Sequence, residues 1–206
     1  MELRVFKNGM LGSNGYLLWN DGEAALIDAG VPAKDIIEAI DENKVTLKYI
    51  ILTHGHFDHI CSVDEIKRKA GGSVAIHTDD AIGLTNPKYN GSTLFSGESL
   101  IFNKPDQYVK DGDILKIGNQ EFKIIHTPGH SPGGICIYSK DCLFTGDTLF
   151  YRSIGRTDLG NGNHDELIDS IKSKLFVLDE SLAVYPGHGR STTIGYEKNN
   201  NPYLRL

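Results

Sequence analysis

The sequence is poor in cysteine and in long apolar runs. It has 3 cysteines in 206 residues, and they show no Cys-x-x-Cys spacing. A chain of this length with so few cysteines is not a disulfide-stabilised mini-protein, and its cysteine content favours a reducing cytoplasm. The uncharged run 124–139 contains two prolines and three glycines. That run cannot form a membrane-spanning helix.

Positive charge is also scarce. Lys and Arg total 21 against 27 Asp and Glu, which gives a formal net charge of −6. A general nucleic-acid surface needs clustered Lys and Arg, so we expect no nucleic-acid partner. The first ten residues, MELRVFKNGM, contain no apolar stretch typical of a signal peptide. We therefore expect a cytoplasmic protein without membrane partners.

Short apolar segments alternate with turn signals along the whole chain. Their order is strands, helices, strands and a helix, which predicts a single domain over 1–206 with two sheets packed face to face and helices outside. Strands are expected at 3–6, 16–19, 24–28, 48–53, 74–77, 114–117, 121–126, 135–139, 142–145 and 182–185, and helices at 33–42, 58–70 and 165–178. Residues 78–106 lack clear periodicity and are interpreted either as a loop that covers the substrate or as an excursion that caps the core.

Five of the 8 histidines lie in three groups, each directly after a predicted strand. The first group is His54-x-His56-x-Asp58-His59, and the other two histidines are His130 and His188. Asp147 also follows a strand. Imidazole and carboxylate ligands without cysteine suit Zn²⁺, Fe²⁺ or Mn²⁺. The pattern therefore predicts a catalytic metal site on loops that a rigid sheet supports.

The His-x-His-x-Asp-His pattern with its distant His, Asp and His resembles the metallo-β-lactamase superfamily. The flanking segments are most similar to its glyoxalase II-like (hydroxyacylglutathione hydrolase-like) branch, in a short form without the C-terminal helical domain. The resemblance implies an α/β fold, a four-layer αβ/βα sandwich, with two divalent metal ions, Zn²⁺ first and Fe²⁺ or Mn²⁺ also compatible. It implies that one ion is held by His54, His56 and His130, the other by Asp58, His59 and His188, and both by Asp147.

The resemblance further implies hydrolysis of a small-molecule thioester, hydroxyacylglutathione-like, by a metal-bound hydroxide. Asp58 is the expected catalytic residue and orients that hydroxide while it binds the second ion. Tyr151, Arg152 and Arg156 follow Asp147 and are candidate substrate contacts, since Arg binds carboxylates in a bidentate manner. A structural ion pair of Arg156 with Asp158 or Glu166 stays open as an alternative.

Other functions also stay open. The string Gly155-Arg156-Thr157-Asp158 resembles the persulfide dioxygenase branch, which uses one iron and dioxygen, and a lactonase or a non-catalytic scaffold would use the same fold. An antibiotic-degrading β-lactamase is not expected without a secretion signal. The sequence does not specify the oligomeric state.

Several residues outside the ligand pattern have expected supporting roles. Asp28 is interpreted as a group that orients His54 or His56, with a turn-forming role as the alternative. Thr53, directly before His54, is expected either to support a ligand in the same way or to form part of a turn. His126 is expected to be structural or to support a ligand. His77 and His164 are expected to be ordinary surface or capping residues.

Overall fold

Short apolar strands form two six-stranded sheets in the computed structural model, which describes residues 1–159 and 161–205. The strands are β1 (Glu2–Phe6), β2 (Gly15–Asn20), β3 (Glu23–Ile27), β4 (Thr46–Ile51), β5 (Ser73–His77), β6 (Gln107–Val109), β7 (Ile114–Ile117), β8 (Gln120–His126), β9 (Ile135–Ser139), β10 (Cys142–Gly146), β11 (Leu149–Phe150), β12 (Ser153–Ile154), β13 (Ala183–Pro186) and β14 (Thr192–Thr193). The ten expected strands are confirmed within a few residues at their ends.

The first sheet has the order β1-β2-β3-β4-β5-β6 and the second the order β14-β13-β10-β9-β8-β7. In the first sheet, β1 to β3 are antiparallel and β3 to β6 are parallel. In the second sheet, β10 and β13 are parallel and the other pairs are antiparallel. Strands β11 and β12 form a separate two-stranded ribbon.

Within the described residues, six helices cover the outer faces and the loops of these sheets. They are α1 (Ala33–Asn43), α2 (Phe57–Ile60), α3 (Val63–Ala70), α4 (Ser92–Phe95), α5 (His164–Ser170) and α6 (Ile194–Asn200). Helix α5 continues as a π-helical turn, Ile171–Leu175. Short 3₁₀ turns occur at Met10–Gly12 and Ala81–Leu84. In the described part of the chain, no helix is both long enough and apolar enough to span a bilayer.

The continuous helix expected over 58–70 is wrong, because the backbone between α2 and α3 bonds to another segment. The carbonyl of His59 accepts a hydrogen bond from the N–H of Ala29 at 2.7 Å, and the N–H of Ser62 donates to the carbonyl of Ala29 at 2.8 Å. These contacts replace helical hydrogen bonds and attach α2 to the loop that follows β3.

Three apolar clusters separate four layers. Alternate residues of β3 show the arrangement, because Leu26 packs with the helices outside the first sheet and Ile27 packs between the sheets. In β10, Phe144 faces the space between the sheets and Leu143 faces α5. Successive side chains of a strand point to opposite faces, so each central strand contributes to two cores. The expected αβ/βα sandwich is confirmed.

The irregular segment 78–106 forms the crossover from β5 to β6, and the interpretation as an excursion that caps the core applies to part of it. Leu84 is fully buried in the outer core of the first sheet, whereas Leu94 is 73% exposed. The buried Asn90 holds the segment together, since its side-chain amide donates to the carbonyls of Gly83 and Leu100 at 2.8 and 3.1 Å. One part of the segment therefore caps the core, while another leaves apolar side chains on the surface.

Candidate metal centre

The seven predicted ligand residues converge at one edge of the sandwich. The loop after β4 carries His54 and His56, and helix α2 directly after it carries Asp58 and His59. The other three residues follow β8, β10 and β13. Their side-chain nitrogens and oxygens form groups in which all ligand atoms lie within 4.8 Å of one another. These groups are His54, His56 and His130; His54, His59 and Asp147; and Asp58, His59 and His188.

The first group contains three imidazoles. His130 Nε2 lies 2.9 Å from His56 Nδ1, and the two rings are nearly perpendicular. His54 Nε2 is buried and has no hydrogen-bond partner among the described residues. Two ligand atoms on one Zn²⁺, with bonds near 2.0–2.1 Å, lie roughly 3.0–3.4 Å apart, so this spacing fits a shared cation.

The second group combines two imidazoles with a carboxylate. His59 Nε2 lies 3.2 Å from His188 Nε2, and Asp58 Oδ2 lies 3.2 Å from His188 Nε2 and 3.5 Å from His59 Nε2. All three side chains direct these atoms toward one point, as three ligands of one cation would.

Asp147 lies between the two groups. Its Oδ1 is 3.4 Å from His59 Nε2, and its Oδ2 is 3.6 Å from His130 Nε2. Oδ1 is buried without a hydrogen-bond partner among the described residues. The backbone leaves little room here, because a Cβ on Gly187 would overlap Oδ1. Only glycine at this position lets the carboxylate reach both groups.

The donor set fits two divalent cations on the evidence of its own atoms. Buried polar atoms in folded proteins almost always have a partner, yet His54 Nε2 and Asp147 Oδ1 have none among the described residues. Imidazole nitrogens also face each other at hydrogen-bond distance. The Nδ1 atoms of His59 and His130 donate to Asp28 and to the carbonyl of Arg156, so in the neutral rings both Nε2 atoms direct a lone pair into the site. Cations at the two points would satisfy all of these atoms.

Electrostatics differ between the two groups. Burial, with the neighbouring imidazoles, lowers the pKa of His54 well below its usual value and that of His56 to about 4. These two rings are therefore neutral, as metal binding requires. In the second group, burial opposes both the ionised form of Asp58 and the protonated form of His59. The attraction between their opposite charges outweighs this effect of burial. The pKa of Asp58 falls to about 2 and that of His59 rises to about 10.

Asp28 orients the ligands, but through a contact that the sequence interpretation did not identify. Its Oδ2 accepts hydrogen bonds from His59 Nδ1 and from Thr53 Oγ1, each at 2.8 Å. Thr53 Oγ1 in turn lies 3.0 Å from His54 Nδ1. Asp28 therefore contacts His59 directly and reaches His54 through Thr53, so its contact with His54 is indirect and its direct partner is a ligand residue that the sequence interpretation did not name.

Asp80 has a central position that the sequence interpretation missed. The side chain is fully buried, and its two oxygens accept hydrogen bonds from the N–H groups of Gly55, at 2.9 Å, and Gly133, at 2.6 Å. Gly55 lies between His54 and His56, and Gly133 follows His130 in the same loop. A single carboxylate thus joins the two loops that supply the first group.

The buried His77 and the half-buried His126 form a pair near this edge. Their rings are stacked with centroids 4.0 Å apart and an interplanar angle of 11°, which links β5 of the first sheet to β8 of the second. The N–H of Asp79 donates to His77 Nδ1 at 3.3 Å. The expectation that His77 is a surface or capping residue is wrong. One nitrogen of each ring and a carboxylate oxygen of Asp79 lie within 4.8 Å of one another, as the ligand atoms of the other three groups do.

The predicted substrate contacts are engaged with the protein itself. Arg156 forms a bidentate ion pair with Asp158, at 2.7 and 2.8 Å, and its carbonyl accepts a hydrogen bond from His130 Nδ1 at 2.7 Å. Of the two alternatives, the ion pair is therefore present. Tyr151 stacks on Tyr196 of α6. The backbone N–H of Arg152 donates to Glu197, also in α6.

A pocket of about 320 Å³ opens beside the first group. His56 and His130 line its inner end, and its walls come from the 78–106 segment and from the loop after β12. A bound molecule in this pocket would lie next to the ligands of the first group. The sandwich, the convergent imidazoles and carboxylates and the adjoining pocket together define the class of metal-dependent hydrolases.

Comparison with known proteins identifies the family. Residues 8–188 match the model of the metallo-beta-lactamase superfamily. The chain is 36% identical to the hydroxyacylglutathione hydrolase GloC of Haemophilus influenzae, over 99% of this chain and 98% of that protein. The chain belongs to the metallo-beta-lactamase superfamily.

Two solved structures are also similar. The BLEG-1 B3 metallo-beta-lactamase superposes with a TM-score of 0.94 at 39% identity and full coverage of both chains. The di-iron-bound form of TTHA1623 superposes with a TM-score of 0.85 at 30% identity, covering 98% of this chain and 100% of that one. The second neighbour carries two metal ions.

Proposed function

We propose that this protein is a binuclear metal hydrolase that cleaves thioesters, with hydroxyacylglutathione-like compounds as the first substrate class. The observation that carries the proposal is the placement of two groups of ligand atoms, with Asp147 between them, beside an open pocket. The similarity to a hydroxyacylglutathione hydrolase supports the choice of substrate. Zn²⁺ is the proposed metal, with Fe²⁺ or Mn²⁺ as alternatives.

In this proposal the residues keep the roles that the sequence implies. His54, His56 and His130 hold one ion, and Asp58, His59 and His188 hold the other. Asp147 binds both. When bound, the two ions supply Lewis acidity, which activates water and stabilises negative charge on the substrate oxygen.

The protein's own groups account for the remaining requirements of hydrolysis. Asp58 stays ionised at neutral pH, because its pKa is about 2 under the influence of His59 and His188, so it can orient the attacking water. A thiolate leaves without a strong general acid, since free thiols have a pKa near 8.5. Burial raises the pKa of the Cys136 and Cys142 thiols to about 11, which removes them as nucleophiles.

A second candidate function is β-lactam hydrolysis, which the similarity to BLEG-1 favours. Persulfide oxidation is the other candidate, and the similarity to ETHE1 of Myxococcus xanthus, with a TM-score of 0.80 at 29% identity over 98% of this chain, favours it. The string 155–158, which suggested this reaction, contains Arg156 and Asp158. The ion pair between them and the hydrogen bond from His130 to the carbonyl of Arg156 are structural contacts that are compatible with either reaction. A lactonase on the same scaffold needs no change in the ligand set.

The test is a substrate panel on the zinc-loaded protein under anaerobic conditions. S-lactoylglutathione, a neutral acyl thioester, a simple lactone, a chromogenic cephalosporin and glutathione persulfide are compared at equal concentration, with metal content measured in the same samples. We expect close to two metal ions per chain and the highest kcat/KM on a thioester. Cephalosporin cleavage without thioester cleavage would establish the second candidate. If a parallel aerobic sample takes up oxygen in proportion to its iron content, the protein is an oxygenase and the proposal of hydrolysis is wrong.

A further inference from the structure

The pocket beside the first ligand group has two walls of different character. One comes from the 78–106 segment and includes Lys88, Leu94 and Phe95, and the other includes Pro132 and Leu159. Leu94 and Phe95 are 73% and 43% exposed. Large apolar side chains that remain exposed next to a reactive site mark a surface for a ligand.

Phe95 is held in place rather than free. Its ring stacks on Phe57, which precedes the ligand Asp58, with centroids 6.2 Å apart. The guanidinium of Arg156 also lies over this ring, 5.9 Å from its centroid. The apolar wall therefore has a fixed position relative to the metal centre, and it suits an aliphatic chain.

Charge in the pocket is one-sided. No Asp or Glu lines it within the described ranges, although the whole chain carries −6. The lysine that lines the pocket is Lys88. No described carboxylate lies within 4.0 Å of the ammonium group of Lys88. Arg156, the cation that the sequence singled out, is neutralised by Asp158 instead.

The backbone of Lys88 is fixed relative to the ligands. Asn86 Oδ1 accepts hydrogen bonds from the N–H groups of Lys88 and Tyr89, at 3.0 and 3.3 Å. The hydroxyl of Tyr89 donates to Asp80 at 3.1 Å, and Asp80 holds the Gly55 and Gly133 backbones. A chain of contacts thus joins Lys88 to the loops of the first group.

We propose that Lys88 recognises a carboxylate at the far end of the substrate, while the carbon chain between that carboxylate and the scissile bond lies against Leu94 and Phe95. The preferred substrate class is therefore a thioester with a terminal carboxylate, and the 78–106 segment determines this preference. The proposal rests on the proposed thioester hydrolysis. Lys88 is a specificity residue and takes no part in the bond cleavage.

The experiment compares two thioesters that differ only in their far end, a carboxylate or its methyl ester. Lys88→Met removes the charge and keeps most of the side-chain length. We expect kcat/KM for the carboxylate to fall about fivefold to twentyfold, mainly through KM, since one partly exposed charge-assisted contact is lost. The methyl ester should be cleaved as by the wild type. Lys88→Arg should retain most of the preference.

Lys104→Met is the matched control, because Lys104 is an exposed lysine of the same segment that does not line the pocket. It should leave the ratio of the two kcat/KM values unchanged. An equal loss on both substrates in Lys88→Met, an unchanged ratio, or the same change in Lys104→Met would each overturn the proposal.

Binding separates this proposal from the function on which it rests. Thioether analogues of the two substrates, with a methylene in place of the thioester carbonyl, are not hydrolysed, and their Kd values are measured by calorimetry with the wild type and Lys88→Met. Preferential binding of the carboxylate analogue that Lys88→Met abolishes supports the subsite even if no thioester is cleaved. Equal binding of both analogues by the wild type contradicts the subsite even if thioesters are cleaved.

Discussion

Asp80→Asn is the substitution that tests the link between the two loops of the first ligand group. The change is isosteric, but an amide has one acceptor oxygen where the carboxylate has two. In the wild type one oxygen accepts the N–H of Gly55 and the other accepts the N–H of Gly133. Whichever way the amide is oriented, one of these buried N–H groups then faces an NH₂ group and loses its acceptor.

The magnitude follows from these contacts. A buried donor without a partner costs about 1–3 kcal/mol, and the bond that remains loses its charge assistance. We expect the free energy of unfolding to fall by about 2–4 kcal/mol. For a domain of this length that corresponds to a decrease in Tm of roughly 5–15 °C. Because the loop of His54 and His56 and the loop of His130 are no longer held together, metal affinity should fall by about 10–100-fold.

The assay is calorimetric unfolding together with metal competition against a chelator. Asp79→Asn is the control, since the neighbouring carboxylate is 55% exposed and lies 3.7 Å from His77 Nδ1. It should change Tm by no more than about 2 °C, as surface substitutions usually do. If the two variants have the same Tm and the same metal affinity as the wild type, Asp80 does not hold the site.

Three further substitutions test other contacts. Asp28→Asn removes the charged acceptor of His59 Nδ1, so metal binding should weaken about 10–100-fold in a chelator competition assay. Unchanged metal affinity would show that Asp28 does not orient the His59 ring. Asp147→Asn removes one of the two carboxylate oxygens proposed to bind the two ions. Elemental analysis should then give a metal content nearer to one ion per chain or fewer, in place of close to two. A metal content equal to that of the wild type would contradict the bridging role of Asp147. Burial, together with the adjacent His126, lowers the pKa of His77, so the unfolded chain binds that proton more readily and stability should fall as pH decreases below about 6.5. His77→Phe should flatten the dependence of the unfolding free energy on pH between 7 and 5, and an unchanged slope would argue against this linkage.

Local patterns were sufficient to predict most of the sandwich. The strands expected at 114–117 and 135–139 have those bounds in the structure, since apolar segments between clear turn signals have few alternatives. The convergence of His54, His130 and His188 could be predicted for a related reason. Each follows a strand, and strand ends that meet at one edge bring their loops together.

Other features depend on partners that are distant in sequence. Nothing in the string Thr78-Asp79-Asp80 distinguishes the exposed aspartate from the buried one. The difference arises from Gly55 and Gly133, which are 25 and 53 residues away.

The division of the ligands between the two sheets has a consequence for assembly. Each group takes two residues from the first sheet and one from the second, and the contacts between His56 and His130 and between His59 and His188 span 74 and 129 positions of the chain. Neither half of the polypeptide contains a complete set, so tight metal capture has to follow the docking of the halves. An ion held by both halves then opposes their separation by mass action, and the resistance of this protein to unfolding should rise with the free metal concentration. During synthesis, the N-terminal half would emerge with open sites that release a wrong metal easily, before His130 and His188 close them.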